Sequence, residues 1–181
     1  AALFEGGMIA AYSYVAPLLT TRAGLPEKFI PLALLGFGAG ALLGTMTGGR
    51  FGDRRPFGTA IPAAVLTACV LGATALWASS IPATVTLVVL LGATAFAPTP
   101  ILVARALHAA SDAPTLVSAL FTSAFNIGSA GGSWLAGLAL STSLGLRGPA
   151  LTGLVLVLAS MVPLTLLAAI RPSAPPRAAD V

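Results

Sequence analysis

Six stretches of the chain are almost free of charge, and short polar or turn-forming segments divide them. The first covers 1–19 and closes at Thr20-Thr21-Arg22 and a turn over Gly24-Leu25-Pro26-Glu27-Lys28. The second, 29–46, stops at the charged cluster between Arg50 and Arg55, and the third, 58–79, ends at Ser80-Ile81-Pro82. The fourth, 83–107, contains Pro98 and Pro100, and residues 108–114 separate it from the fifth, 115–140. The sixth is 148–170. A spanning helix needs about 20 mostly apolar residues, so each stretch predicts one transmembrane helix. Glycine and proline inside them are tolerated where neighbouring helices satisfy the freed backbone groups. The pattern predicts an all-α integral membrane protein with a six-helix domain over 1–170. The Pro- and Ala-rich remainder, 171–181, is expected to be a disordered cytoplasmic tail.

Composition agrees. Hydrophobic residues make up 57% of the 181 positions and charged residues 8%, with a mean hydropathy of +0.98. A soluble domain carries roughly 25% charged residues. One Cys excludes an internal disulfide, and one His and one Cys exclude the usual zinc clusters. The nine Lys and Arg residues form no basic stripe, which argues against a nucleic-acid partner. Their placement reads instead as topology. Arg50, Arg54, Arg55, Arg105, Arg171 and Arg177 fall on one side, and Arg22, Lys28 and Arg147 on the other. The richer side is expected to be cytoplasmic, and both ends of the chain with it. The first apolar run begins at Ala1 with no charged flank and no basic n-region, so it is not a signal peptide. The chain is expected to begin inside a helix of something longer.

The faces of these helices carry the candidate chemistry. Glu5 is the only acidic residue within a stretch. A carboxyl group in hydrocarbon is expensive and is by default a functional hypothesis, here a proton carrier. The bland reading puts it at the hydrated cytoplasmic interface. Tyr12 lies two turns on, within about 20° of the same face, where it could hydrogen-bond a substrate on the same path. In the fifth helix Ser118, Thr122, Asn126, Ser129 and Ser133 share an arc of about 80°. Such a stripe faces a water-filled pathway or another helix, because unpaired polar groups in lipid are costly. For the hydroxyls both readings stand, whereas the amide of Asn126 can serve a ligand and points to the pathway. Phe121 and Phe125 lie on an adjoining face with Gly128 and Gly132, where the aromatics either pack or stack on substrate. Gly36, Gly40, Gly44 and Gly48 repeat every four residues in the second helix and predict a close packing seam. Pro98 and Pro100 should bend the fourth helix, and Asp112-Ala113-Pro114-Thr115 reads as a helix start. Nothing resembles a nucleophile–base pair, a phosphate loop or a metal cage. Neither an enzyme nor a bound cofactor is expected.

The loop after the second helix reads Gly48-Gly49-Arg50-Phe51-Gly52-Asp53-Arg54-Arg55-Pro56. Its charge alone fits a plain positive-inside loop. The spacing of glycine and aspartate adds a sharp turn and a carboxylate placed to complement the start of an adjacent helix. Gly49 to Arg54 resembles the Gly-x-x-x-Asp-Arg signature of the major facilitator superfamily. Pro56 and Phe57 depart from its stronger copy, which matches the weaker one between the eighth and ninth helices. The stretch from Ala11 to Leu19 looks like the seventh helix of bacterial drug and sugar efflux members, and Ser123 to Gly132 like the eleventh.

The resemblance implies a C-terminal six-helix half-bundle built as a 3+3 inverted repeat. It implies a multi-pass protein of the cell membrane that exports a small molecule, such as a drug or sugar, in exchange for protons by alternating access. Its partners would be the lipid bilayer, the substrate, protons and an N-terminal six-helix half. Gly49, Asp53 and Arg54 would belong to the cytoplasmic gate. Helices one, two, four and five would wall the cavity, and helices three and six would face lipid. The competing expectation is a six-helix scaffold or dimerising subunit, which glycine seams suit equally well.

Overall fold

A computed structural model describes residues 1–109 and 112–170. The expected tail, 171–181, lies outside the described residues, as do positions 110 and 111 of the 108–114 connection. Among the described residues there are helices and no strands. They are α1 (Ala2–Tyr12), α2 (Val15–Pro17), α3 (Ile30–Gly52), α4 (Pro56–Trp77), α5 (Ile81–Phe96), α6 (Thr99–Ala109), α7 (Pro114–Leu140) and α8 (Gly148–Ile170). A π-helical turn, Leu18–Arg22, continues α2, and 3₁₀ turns at Glu27–Phe29 and Gly145–Arg147 lead into α3 and α8.

Five helical rods are long and apolar enough to cross a membrane: Ala2–Arg22, Glu27–Gly52, Pro56–Trp77, Ile81–His108 and Gly145–Ile170. The remaining long helix, α7, has 27 residues, about 40 Å at 1.5 Å per residue. Its serines, threonines, asparagine and glycines dilute its apolar character. The molecule is a multi-pass membrane protein.

Proline sets several of the helix starts. Pro31, Pro56, Pro82 and Pro114 each stand in a first turn, where no intrahelical acceptor awaits an N–H. Proline also divides the fourth rod. α5 ends at Phe96 and α6 resumes at Thr99, because Pro98 and Pro100 offer no donors, and Pro98 is fully buried at the joint. The first rod, expected as one helix, is interrupted at Ser13-Tyr14 and widens to a π turn after Pro17. The second rod overruns its expected end. α3 continues through Gly49 and Gly52, so the expected loop shrinks to residues 53–55. Gly48 and Gly52 face Ala97 and Ile101 at contact distance, and that packing holds the last turns helical.

Two seams of small residues organise the bundle. Gly40, Gly44 and Gly48 of α3 lie against the backbone at Val89, Ala93 and Ala97, while Gly92 lies against Phe37 and Ala41. The seam expected at Gly36, Gly40, Gly44 and Gly48 therefore exists, and α5 with its Ala97 extension is its partner. The second seam joins α1 to α7: Gly128 meets Ala2, and Gly132 meets Gly6. On a neighbouring face of α1, Gly7 meets Gly153 and Val157 of α8. In both main seams residue numbers rise together, so the paired helices run parallel.

The contacts obey an exchange rule. Swapping the first three rods with the last three turns the α1–α7 pair into α5–α3, and the α1–α8 pair into α5–α4; α4–α8 maps onto itself. All five pairs are in contact. This is the 3+3 relation expected of the half-bundle, carried by packing where no repeat is visible in the sequence.

Candidate functional site

Glu5 sits in the first turn of α1, one residue before the Gly6 contact with α7. It is 5% exposed, and its Oε1 has no hydrogen-bond partner. Tyr12 is half-buried on the same helix. Its ring lies on Phe37 of α3, with centroids 4.5 Å apart and planes inclined by 30°. Phe37 in turn meets Phe96 of α5 edge-on at 6.0 Å. This aromatic row links three rods. Phe37 and Phe96 have no polar neighbour or spacing to mark them in the sequence, because the row forms only when α1, α3 and α5 pack together.

The polar stripe of α7 resolves into separate uses. Ser118 and Thr122 are exposed and return their hydroxyls to Pro114 O at 3.0 Å and Ser118 O at 2.9 Å. Ser133 bonds Ser13 of the first rod, Oγ to Oγ, at 2.9 Å. The Oγ of Ser129 is buried without a partner. Asn126 is exposed, and Phe121 and Phe125 are half-buried. Thr122 and Asn126 thus lie on the open side of α7, while Gly128 and Gly132 occupy the seam. Glu5 and Tyr12 stand two turns apart with no hydrogen bond between them among the described residues.

At the other end of α3, Gly49 is helical with no atom within 4 Å of the place a Cβ would take. Asp53 closes α3, its N–H bonding Gly49 O at 3.0 Å. The expected capping of a neighbouring helix start is not formed among the described residues, since Asp53 is exposed and α4 opens at Arg55-Pro56 without a side-chain cap. Arg54 is exposed. A cleft of about 340 Å³ lies between this end and α6, with Gly49 and Asp53 on one wall and Ala104, Arg105 and His108 on the other. The Arg105 guanidinium is held 4.0 Å above the Phe57 ring. No group of three metal-ligating side chains occurs among the described residues.

Parallel helices fused along glycine, an open polar face on one of them and a cleft at one end define a multi-pass membrane bundle built from two related sets of three helices. No protein-family model matches the chain. It is 35% identical over 162 residues to a chloramphenicol resistance protein of Streptomyces lividans, spanning 89% of this chain and 41% of that protein. It is 31% identical to the inner membrane transport protein YdhP of Escherichia coli K12, over 88% of this chain and 42% of the relative. It is 30% identical to the uncharacterized MFS-type transporter YtbD of Bacillus subtilis, over 89% and 41%. The resemblance carried by the loop signature therefore holds: the chain is homologous to major facilitator superfamily transporters. It spans about two fifths of the length of these relatives.

Proposed function

We propose that this chain is the C-terminal six-helix half of a drug or sugar exporter in the cell membrane, with both of its ends cytoplasmic and α7 as the sixth spanning helix. The observation that carries this reading is the match itself. Nearly nine tenths of the chain aligns with two fifths of each transporter relative. An N-terminal half supplies the opposite wall, and the two halves rock about a midplane site. Thr122, Asn126, Phe121 and Phe125 present the open face of α7 to a small, partly apolar substrate, and Tyr12 contributes from α1. Glu5 carries the exchanged proton. Gly49, Asp53 and Arg54 form the cytoplasmic gate beside the cleft closed by α6. The resistance protein's name makes chloramphenicol the first substrate to test.

The test is made on the full-length transporter in a drug-susceptible host and in vesicles. Asn126→Ala should lower export with the protein still folded, and Asp53→Asn should abolish it. Glu5→Gln should remove the response to a proton gradient. Export unchanged in all three variants would remove these residues from the pathway and the gate, and a full-length protein that exports nothing would overturn the reading in favour of a scaffold.

A further inference from the structure

Three basic residues stand at the end of the bundle opposite Asp53: Arg22, Lys28 and Arg147. Lys28 lies over the Phe29 ring, 5.1 Å from its centroid. The other two converge on the last turn of α4. Arg22 reaches across from the first rod and donates from Nη2 to Ala75 O at 3.2 Å. That oxygen is one of the final carbonyls of α4, which have no helical N–H to accept from. Arg147 belongs to the 3₁₀ turn before α8, and that turn touches α4 as well. The two guanidinium groups are close enough for their charges to repel.

Among the described residues nothing offsets that repulsion. Nη1 of Arg22 is sealed from solvent and has no hydrogen-bond partner, although the side chain as a whole is half-exposed. Arg147 is exposed, and its side chain forms no hydrogen bond among the described residues. Glu27, the one carboxylate at this end, opens the 3₁₀ turn into α3 and pairs with neither arginine. Two like charges held side by side are favourable only beside an anion. The planar fork of a guanidinium matches the oxygens of a phosphate.

The bilayer carries phosphate at this level. Trp77, the last residue of α4, is 66% exposed, and tryptophan at the end of a spanning helix marks the headgroup region. Between residues 60 and 77 the exposed side chains of α4 are Pro62, Val65, Leu66, Cys69, Leu76 and Trp77. Thr67 and Thr74 turn inward instead and bond Ala63 O and Val70 O. This face suits acyl chains, whereas α7 exposes Thr122 and Asn126.

We propose that Arg22 and Arg147 form a phosphate clamp for an anionic phospholipid, the headgroup drawn between Arg147 and the open edge of Arg22 and the acyl chains lying along α4. Arg22 is fixed by Ala75 and sets the place, and Arg147 is free to close on the phosphate. The clamp needs the multi-pass bundle and not the export reading. In the orientation proposed above, its lipid belongs to the outer leaflet.

Native mass spectrometry of the full-length transporter, incubated with equal amounts of phosphatidylglycerol and phosphatidylcholine, reads the clamp without reference to transport. The parent should retain phosphatidylglycerol in preference. Basic side chains at a membrane surface favour anionic lipid by roughly fivefold each, so Arg22→Gln and Arg147→Gln should each lower the preference by about that factor. Arg147→Gln decides, because Arg147 holds no bond of the fold among the described residues, while Arg147→Lys should keep most of the preference. Lys28→Gln should leave it unchanged. A parent indifferent to headgroup charge overturns the proposal and leaves the pair to a carboxylate of the N-terminal half. A preference that survives both glutamine variants overturns it too. An excess of inorganic phosphate should leave the lipid in place; lipid displaced by it would make the ligand a free anion and overturn the lipid assignment.

Discussion

Gly131 and Gly132 are neighbours on α7, and the structure sets opposite consequences for the same substitution at each. At Gly132 an added Cβ would overlap the carbonyl oxygen, carbonyl carbon and Cα of Gly6, all backbone atoms of α1. Backbone in a helix cannot swing aside as a side chain can. Relief requires moving α1 away from α7, which also unseats the Gly128 contact with Ala2 and the Gly7 contact with Gly153. Overpacking of a tight site costs typically about 1–3 kcal/mol, and the cost here belongs at the upper end because three contacts move together. At Gly131 nothing lies within 4 Å of the new methyl group. The substitution there gains helix propensity, up to about 1 kcal/mol. Gly132→Ala and Gly131→Ala should therefore differ by roughly 2–4 kcal/mol, with opposite signs relative to the parent. Reversible unfolding of the full-length protein in mixed micelles, followed by tryptophan fluorescence, measures both. Equal stabilities, or a Gly131→Ala variant weaker than Gly132→Ala, would refute the seam as the element that holds α1 to α7.

Two further outcomes follow from fasteners outside the seams. Arg22 donates from Nη2 to Ala75 O at 3.2 Å, tying the end of the first rod to α4. Hydrogen bonds to charged groups contribute about 1.5–3 kcal/mol. Arg22 is half-exposed, so Arg22→Gln should lose about 1 kcal/mol after screening, read as a lowered unfolding midpoint; no change would show the bond to be idle. A double-mutant cycle on Ser13→Ala and Ser133→Ala should give a coupling of about 0.6 kcal/mol, the average for such bonds between membrane helices. Additive single effects would remove the bond from the account.

The apolar runs made the helices legible because a lipid-embedded segment must be apolar along nearly its whole length. The four-residue glycine period of α3 was legible for a related reason, since only close backbone approach rewards it. What escaped the sequence depends on partners. Gly49 and Gly52 read as a loop, yet α3 runs through them because Ala97 and Ile101 pack on Gly48 and Gly52. The stripe on α7 read as one surface, but Ser118 and Thr122 spend their hydroxyls on their own backbone and Ser133 spends its own on Ser13. Asp53 read as the cap of a neighbouring helix, yet it ends its own, a choice that chain spacing alone does not make. Of the candidate site, Glu5 was marked by its charge, whereas the row of Tyr12, Phe37 and Phe96 acquires meaning only from the register of the packed rods.

That register has an unusual origin. Glycines four residues apart present almost the same smooth groove after a shift of about 6 Å along the axis, so neither seam discriminates strongly between adjacent alignments. The alignment of the rods must come from their ends. At one end Ser13 holds Ser133 and Arg22 holds α4; at the other, Arg105 rests on Phe57. The bundle is built as a pair of smooth rails whose alignment is kept by a few latches at their ends.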